Sequence, residues 1–374
     1  MKKMILFSLL CFSSFYVQAQ VRGSNAGPPQ TRGQSAQTNP NTPKFKAIWE
    51  PVNVKEDLQL MSVHFITPDE GWVAGGKNEL NGGIILHTKD AGANWDVQLG
   101  DPQSSDRAYR QLSFLTSTLG WATQSTQGGD HNLLRTNDRM TWAPVGTVAQ
   151  HRTDYRFISA DVGFYTIDDA IFRTQDGGRR WQPVYRCAVK VEVNGLTRDV
   201  KCDLEKIEFM NASTGYAISR EVARGAGFAF VKTTDGGATW SASVILPGED
   251  GKEGALRFSS PSTGALRTID GKLFYTADGG ATWTGAAGKA DGKPDIEFAD
   301  KDIGWTIGYK TMTYTTNGGK SWTARQINFP ANVNAFSLVQ RDRGYAVGDH
   351  GMVYKYRIVP IDYMAKGMLP APSM

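Results

Sequence analysis

The sequence is poor in the residue combinations that mark common catalytic and metal sites. Its 5 histidines never occur as His-x-His or His-x-x-x-His, the usual spacings of zinc ligands. It contains no Gly-x-Ser-x-Gly, no phosphate-binding loop and no dinucleotide fingerprint. A formal net charge of +4 is too small to indicate binding to nucleic acid or to an anionic membrane surface. We therefore expect no metal, no cofactor and no nucleic-acid partner.

Long apolar runs are confined to the N-terminus, since no later segment approaches the ~20 residues that a membrane span needs. The N-terminus carries Lys2 and Lys3, an apolar run over residues 4–12 and the small-x-small ending Val17-Gln18-Ala19. This pattern predicts a signal peptide over residues 1–19 and a mature protein that is periplasmic or extracellular. Cys11 raises lipid attachment as an alternative, but the bulky Leu10 before it fits a lipobox poorly, so we expect no lipoprotein.

Cysteine is scarce as well. Of the 3 cysteines, Cys11 leaves with the signal peptide, and Cys187 and Cys202 remain. An even count in an exported chain favours a disulfide, which would close a short loop and stabilise the fold by ~3 kcal/mol. Two free thiols are the alternative.

Large apolar residues are almost absent from residues 20–43, which are rich in Gly, Pro, Gln, Asn, Ser and Thr. Such a segment cannot bury enough surface to offset the entropy of ordering, so we predict a disordered linker. A regular pattern begins at residue 44. We place one folded domain at residues 44–359 and a C-terminal tail at residues 360–374.

What the sequence does contain is a repeat. An apolar-x-apolar pair is followed six residues later by glycine, usually with an aromatic residue after it. The seven pairs and their glycines are Val63-x-Phe65 with Gly71, Leu112-x-Phe114 with Gly120, Tyr155-x-Phe157 with Gly163, Ile207-x-Phe209 with Gly215, Leu256-x-Phe258 with Gly264, Ile296-x-Phe298 with Gly304, and Phe336-x-Leu338 with Gly344. Successive repeat glycines are 40 to 52 residues apart. Repeats of this length with alternating apolar residues are typical of β-propeller blades.

Each repeat has the pattern of four strands, which makes the protein all-β. Trp49-Glu50-Pro51-Val52 matches the outer strand of other repeats, whereas the last repeat lacks one. We therefore predict a single seven-bladed β-propeller of four-stranded blades. In it, the N-terminal strand around Trp49 completes the last blade, closes the ring and removes exposed strand edges.

A second motif, such as TTDGGATW at residues 233–240, recurs between the third and fourth strands. It resembles the Asp-box, or BNR-repeat, family, with the pattern Ser/Thr-x-Asp-x-Gly-x-Thr/Ser-Trp. The six copies centre on Asp90, Asp138, Asp176, Asp235, Asp278 and Asn317. An acidic residue beside glycines can fold a tight turn, and Asn317 does this equally well while being a poor acid or base. We interpret the motif as a structural turn, although the copy at Asp138 is one residue short and lacks both glycines.

The repeat as a whole is similar to that of the seven-bladed BNR proteins related to the photosystem II stability/assembly factor. The similarity rests on residues 296–309 and 336–348, which match V-x-F-x5-G-W-a-V-G. It implies a non-catalytic scaffold that binds a protein. The alternative is a secreted Asp-box glycoside hydrolase, sialidase-like or xyloglucanase-like. A glycoside hydrolase would need two or three carboxylates beside a Tyr or Arg in the central cavity.

Long loops point to the functional face. The connections between the second and third strands, and those between blades, lie on the face opposite the Asp boxes, and residues 181–209 form a long connection that holds both cysteines. Function is often carried by such loops. The candidate binding residues are Arg107, Arg110, His131, Arg152, Arg220 and Arg224, and we predict no catalytic residue. The expected partner is a protein, with an envelope or membrane protein as one option and a carbohydrate as the second choice.

Overall fold

Seven antiparallel four-stranded sheets account for nearly all of the secondary structure. We describe a computed structural model, which covers residues 45–54, 56–78, 80–103, 106–126, 130–149, 154–193, 195–223, 225–249, 254–291, 295–308 and 311–360. None of these residues is helical. A search of the same ranges finds no helix of the length and hydropathy that would cross a membrane. The predicted signal peptide, linker and tail lie outside the described residues.

The first six blades follow one another along the chain. Blade 1 consists of β2 (Gln59–Phe65), β3 (Gly71–Gly76), β4 (Ile84–Thr88) and β5 (Asp96–Gly100). Blade 2 consists of β6 (Tyr109–Phe114), β7 (Gly120–Gln124), β8 (His131–Thr136) and β9 (Ala143–Val148). Blade 3 consists of β10 (Tyr155–Phe157), β11 (Gly163–Ile167), β12 (Ala170–Thr174) and β13 (Gln182–Arg186).

Blades 4 to 6 repeat this order after a short hairpin, β14 (Ala188–Val193) and β15 (Leu196–Lys201). Blade 4 consists of β16 (Leu204–Phe209), β17 (Gly215–Glu221), β18 (Phe228–Thr233) and β19 (Ser241–Ile245). Blade 5 consists of β20 (Ala255–Phe258), β21 (Gly264–Arg267), β22 (Leu273–Thr276) and β23 (Thr284–Gly285). Blade 6 consists of β24 (Glu297–Phe298), β25 (Gly304–Ile307), β26 (Thr311–Thr315) and β27 (Thr323–Gln326).

Blade 7 joins the two ends of the domain. It contains β28 (Val333–Gln340), β29 (Arg343–Gly348), β30 (Val353–Pro360) and, as its outer strand, β1 (Phe45–Val52). β1 pairs with β30 along its whole length, from Phe45 opposite Pro360 to Val52 opposite Val353. Trp49 contacts the rings of Trp305 and Tyr356 at 5.6 and 5.2 Å. The predicted all-β, seven-bladed fold with closure by the Trp49 strand is therefore confirmed.

The core lies between the blades and explains the sequence repeat. The aromatic residue after the repeat glycine stacks on the second apolar residue of the next inner strand. Examples are Trp72 on Phe114, Trp121 on Phe157 and Tyr216 on Phe258, each with ring centroids 3.8 Å apart. The glycine makes room for this, since a Cβ at Gly120 would lie 2.5 Å from the Phe114 ring. Most interfaces thus bury large rings, which contribute much of the stability of such a ring of sheets.

The Asp boxes form turns in which the acid holds its own backbone. Asp235 accepts a hydrogen bond from the Thr239 N–H at 2.9 Å, and its side chain also accepts one from the Thr233 hydroxyl at 2.8 Å. Asn317 repeats this geometry with the Ser321 N–H at 3.0 Å. In the short copy, Asp138 accepts from two N–H groups. Arg139 takes a left-handed φ of 60°, as Ala91 does at 58° in the first box, where the other four boxes have glycine.

Asp-box turns and the turns between first and second strands share one face. In each box a backbone N–H donates to a carbonyl of the neighbouring turn. The six donor and acceptor pairs are Ala91 to Asp69, Arg139 to Thr118, Gly177 to Asp161, Gly236 to Ser213, Gly279 to Ser262 and Gly318 to Asp302. The opposite face carries the long connections.

The connection between blades 3 and 4 forms a hairpin that the sequence did not predict, closed by the disulfide that it favoured. β14 and β15 pair as a hairpin, and a disulfide joins Cys187 to Cys202 at its base, with a Cα–Cα distance of 5.4 Å. Both cysteines are buried, together with Val189 and Val191 on the inner side of the hairpin. The outer side is exposed. The disulfide therefore closes a hairpin that packs on the core between blades 3 and 4, rather than an irregular loop.

Candidate functional site in the axial cavity

The inner strands of the blades surround a cavity of about 740 Å³, which we call the axial cavity. The middle residue of each of the seven apolar-x-apolar pairs lies on its lining, because neighbouring side chains of a strand point to opposite sides. These seven middle residues, in ring order, are His64, Ser113, Arg156, Glu208, Arg257, Glu297 and Ser337. Blades 3 to 6 therefore present charged groups, whereas blades 7, 1 and 2 present serine and histidine.

The charged side is a chain of ion pairs that runs between blades. Arg156 lies 2.8 Å from the Asp154 carboxylate of its own blade and 2.9 Å from Glu208 of blade 4. Arg257 of blade 5 pairs with the same Glu208. Glu208 consequently bridges two guanidinium groups from the blades on either side of it.

This environment moves the pKa values of the two glutamates in opposite directions. Burial alone would raise the pKa of Glu208, but Arg156 and Arg257 outweigh it and lower the pKa to about 2. At Glu297 burial prevails over the attraction of Arg257 and raises the pKa to about 7. Burial, followed by repulsion from Arg156 and Arg257, lowers the pKa of His64 to about 4. Near neutral pH, Glu208 is therefore ionised and His64 is uncharged.

Several axial side chains also accept hydrogen bonds from the backbone of a neighbouring inner strand. Ser62 accepts from Leu112 N–H at 3.0 Å, Asp154 from Ile207 N–H at 3.3 Å, and Glu297 from Leu338 N–H at 2.5 Å. Ser337 accepts from Phe65 N–H at 3.4 Å and so links blades 7 and 1. These bonds satisfy donors that would otherwise be buried between blades.

Blade 2 departs from the regular pattern. The register of β6 shifts between Arg110 and Ser113, and Gln111 adopts a φ of 49°, which is unusual for a non-glycine residue. The Tyr155 hydroxyl of blade 3 donates to the Gln111 carbonyl. Bulges redirect side chains, and here Arg110 and Gln111 both lie on the lining of the axial cavity.

One end of the axial cavity opens on the face that carries the long connections, because each inner strand begins there. We call this end the loop-side mouth and define it by the lining residues Arg110, His131, Asp154, Lys206, Asp295 and Asn334. Two of the predicted binding residues, Arg110 and His131, thus belong to it. The mouth combines cationic and anionic groups within one opening.

Of the other predicted binding residues, Arg107 and Arg220 do not line this mouth. Arg107 donates to the Gln124 side chain at 2.8 Å. Arg220 pairs with Glu205 and lies 3.6 Å from Asp203. Arg152 and Arg224 lie outside the described residues. Arg220 is therefore engaged within the protein instead of being presented to a partner.

Sequence reasoning missed the charged axial residues, especially Arg156, Glu208 and Arg257. A signal was available, since these residues occupy the same position of the repeat. The carboxylate cluster that a hydrolase would need is present, because Asp154, Glu208, Asp295 and Glu297 line the cavity with the two arginines. Across the described ranges, no group of three or more His, Cys, Asp or Glu is placed to hold a metal ion.

A closed ring of seven blades with Asp-box turns and a charged axial cavity defines this protein as an Asp-box β-propeller. The family model described as "Photosynthesis system II assembly factor YCF48" matches residues 42–199. The "Photosystem II assembly protein Ycf48" of Synechococcus sp. (strain JA-2-3B'a(2-13)) is 24% identical over 334 residues, covering 84% of this chain and 90% of the relative. The chloroplastic "Photosystem II stability/assembly factor HCF136" of Arabidopsis thaliana is 24% identical over 339 residues, covering 82% of this chain and 79% of the relative.

Solved structures agree on the fold. The structure titled "YCF48 bound to D1 peptide" has a TM-score of 0.58 at 16% identity, covering 83% of this chain and 96% of that one. The structure titled "YCF48 from Cyanidioschyzon merolae" has a TM-score of 0.59 at 18% identity, covering 83% of this chain and 98% of that one. The resemblance to the assembly-factor propellers that the repeat predicted is therefore confirmed over most of the chain.

Proposed function

We propose that this protein is a non-catalytic scaffold that binds a polypeptide segment of a partner protein at the loop-side mouth. The observation that carries this function is the convergence of Arg110 and His131, from separate strands of blade 2, on the same opening as Asp154 and Lys206. Such a mixed polar surface suits the backbone and charged side chains of an extended peptide.

The state of the axial carboxylates supports binding over catalysis. Glu208 is paired with two guanidinium groups. Asp154 is paired with Arg156 and accepts a hydrogen bond from the Ile207 N–H. Glu297 accepts a hydrogen bond from the Leu338 N–H. Groups that are already bonded in this way are poorly placed to activate water or to protonate a leaving group. The comparisons support the same choice, since the relatives are named as assembly factors and one solved propeller is described as bound to a peptide.

Site-specific crosslinking tests the proposal. A photo-reactive amino acid replaces His131 at the mouth, and a second variant carries it at the exposed Arg180 on the Asp-box face. We expect a discrete adduct with a protein in living cells from position 131 only, and loss of that adduct when Arg110→Glu is added. Equal adducts from both positions, or none from position 131, would contradict a partner at the mouth.

A second candidate, glycoside hydrolysis, is favoured by one observation. Glu208 and Glu297 line the same cavity with pKa values of about 2 and about 7, the kind of split seen between the two carboxyl groups of glycosidases. The test is a panel of chromogenic sialosides and glucosides with xyloglucan. Turnover that disappears in both Glu208→Gln and Glu297→Gln would establish this function in place of the scaffold. Absence of turnover above buffer would remove it.

We also propose that the protein is exported by the signal peptide at residues 1–19 and that residues 20–43 tether the propeller. Two relatives are named lipoproteins, among them the Ycf48 of Nostoc sp., which is 23% identical over 83% of this chain. Lipid attachment at Cys11 is therefore tested directly. Labelling with an alkyne fatty acid, with Cys11→Ala as the control, is expected to give no signal if cleavage occurs after Ala19. Cys11-dependent labelling would show a lipid anchor.

A further inference from the structure

The bulge in the inner strand of blade 2 comes one residue later than the bulges of other inner strands. Blades 1, 4 and 7 also carry a bulge ahead of the apolar pair, and in each the extra residue is the second one before the pair. These extra residues are Met61, Glu205 and Asn334, and none of the three has a positive φ. In blade 2 the residue at that place, Arg110, still pairs with Thr123, and the extra residue is Gln111.

This difference decides how Arg110 is held at the loop-side mouth. In the observed register Arg110 is a paired member of the ladder, and the Thr123 hydroxyl donates to its carbonyl oxygen at 3.2 Å. A bulge at the place used by blades 1, 4 and 7 would make Arg110 itself the extra residue, and the extra residue of a bulge is left unpaired. Its backbone would then lose its fixed position against β7, and the direction of its side chain would change.

The observed register has a conformational cost. Gln111 adopts a φ of 49°, in the left-handed region that is unfavourable for a residue with a Cβ atom. Conformations of this kind persist only where the surrounding structure holds them. The other three bulges avoid the cost, so blade 2 requires a contact that they lack.

The hydroxyl of Tyr155 in blade 3 provides such a contact, because it donates to the Gln111 carbonyl across the joint between the two blades. Tyr155 is buried, and burial raises the pKa of its hydroxyl above the usual range, so the group remains a proton donor. Tyr155 is also the first residue of its apolar pair. At this place the other six repeats carry side chains without a hydroxyl, namely Val63, Leu112, Ile207, Leu256, Ile296 and Phe336. The tyrosine at this position therefore lies directly beside the displaced bulge.

We propose that Tyr155 is a positioning residue of the loop-side mouth, which fixes the bulge at Gln111 and thereby holds Arg110 in place for the partner. This role rests on the proposed function, since it matters for binding only if a partner reaches the mouth. Because only 1% of Tyr155 is exposed, the residue acts through the backbone of Gln111 and not by touching the partner.

Four variants separate this role from a general contribution to stability. Tyr155→Phe removes the hydroxyl and keeps the ring. The matched control is Tyr345→Phe, since Tyr345 is also buried and its hydroxyl donates at 2.6 Å to the Pro68 carbonyl of a neighbouring blade, but on the Asp-box face. The rescue variant combines Tyr155→Phe with Gln111→Gly, because glycine adopts a positive φ without a steric cost. Gln111→Gly alone shows any effect of losing the Gln111 side chain, and melting curves confirm that each variant is folded.

Two measurements are made on each variant of the full chain. The first is the yield of the protein adduct from the photo-reactive amino acid in place of His131. The second needs no partner, because Arg110→Cys is introduced and its rate of reaction with methyl methanethiosulfonate reports how residue 110 is held. Cys187 and Cys202 are joined in the disulfide and do not compete for the reagent.

We expect Tyr155→Phe to lower the adduct yield and to change the reaction rate, each by about threefold or more, which is the bias that one hydrogen bond supplies. Tyr345→Phe and the rescue variant are expected to match wild type in both measurements. Unchanged values in Tyr155→Phe, an equal change in Tyr345→Phe, or a loss that Gln111→Gly does not restore would overturn the proposal. If wild type itself gives no adduct, the proposed function fails, and the reaction rates alone still decide whether Tyr155 fixes Arg110.

Discussion

Arg156 and Glu208 meet across the joint between blades 3 and 4, with the guanidinium nitrogen 2.9 Å from the carboxylate oxygen. The two residues are 52 positions apart, yet they occupy equivalent places in successive repeats. Because Glu208 also pairs with Arg257, one carboxylate joins three consecutive blades at the wall of the axial cavity. Positions that line the cavity thus carry both the polar surface of the site and part of the cohesion of the ring.

Replacing Glu208 tests how much of that cohesion it supplies. Glu208→Gln removes the anion that the partly buried Arg156 and Arg257 share, and among the described residues only Arg156 keeps a second partner, in Asp154. We therefore expect a loss of about 1–3 kcal/mol in the free energy of unfolding. Urea titration measures it. The matched control is Asp199→Asn in the exposed Lys190–Asp199 pair, which lies at a comparable 3.1 Å and is expected to change stability by less than about 0.5 kcal/mol. Equal effects of the two variants would show that the axial pair is no more than a surface contact.

Glu297 predicts an unusual dependence of stability on pH. Its pKa is raised from 4.5 to about 7, so the folded state binds a proton that the unfolded state releases between these values. The stabilising contribution is therefore complete below about pH 4.5 and is lost as the pH rises through about 7. As the pH rises across this range, we expect the free energy of unfolding of wild type to fall by on the order of 1–3 kcal/mol relative to that of Glu297→Gln. Urea midpoints of both proteins at pH 5 and pH 8 give the result, and parallel changes would exclude the effect.

Asp235 tests the structural interpretation of the Asp box. Asp235→Ala removes the acceptor for the Thr239 N–H, so we expect a melting temperature lower by a few degrees. Asp235→Asn is expected to stay close to wild type, because Asn317 holds its own turn through the same bonds. Differential scanning calorimetry compares the two. If the melting temperature of Asp235→Asn falls as far as that of Asp235→Ala, the box requires the negative charge and not only the turn geometry.

Trp49 tests ring closure by the N-terminal strand. Trp49→Ala removes contacts to Trp305, Phe329 and Tyr356, for an expected cost of about 2–4 kcal/mol. The control is Trp142→Ala, which changes the equivalent tryptophan within a blade of continuous chain. Hydrogen exchange should show reduced protection in β1 and β30 for the first variant and in blade 2 for the second. Intact protection of β30 in Trp49→Ala would argue that closure does not depend on this strand.

The ring could be predicted from sequence because its stability comes from positions that recur. Glycine before an aromatic residue, and the apolar pair six residues earlier, are needed wherever one blade packs on the next, as Gly120 and Phe114 show. The match between Trp49 and the outer strands of other repeats likewise predicted closure. Repetition makes such local requirements visible even in one sequence.

The candidate site residues were harder to predict because the axial positions differ from blade to blade. Arg156, Glu208 and His64 have the same place in the repeat, so their position can be read from the sequence, but their chemistry differs and no single strand shows that all three line one cavity. The bulge at Gln111 and the hairpin of β14 and β15 are deviations from the repeat, and a periodic pattern does not predict where it is broken. Arg220 is a further example, since its partners Glu205 and Asp203 come from a neighbouring strand and the turn before it, and the sequence around Arg220 does not show them.

Binding of the crosslinked segment tests the central claim most directly. Once the peptide attached to position 131 is identified and synthesised, its Kd is measured for wild type, Arg110→Glu and Arg220→Glu. Our account predicts that Arg110→Glu weakens binding at least tenfold, since it reverses a charge on the lining of the mouth, and that Arg220→Glu has little effect. Unchanged affinity in Arg110→Glu would contradict a partner site at the loop-side mouth.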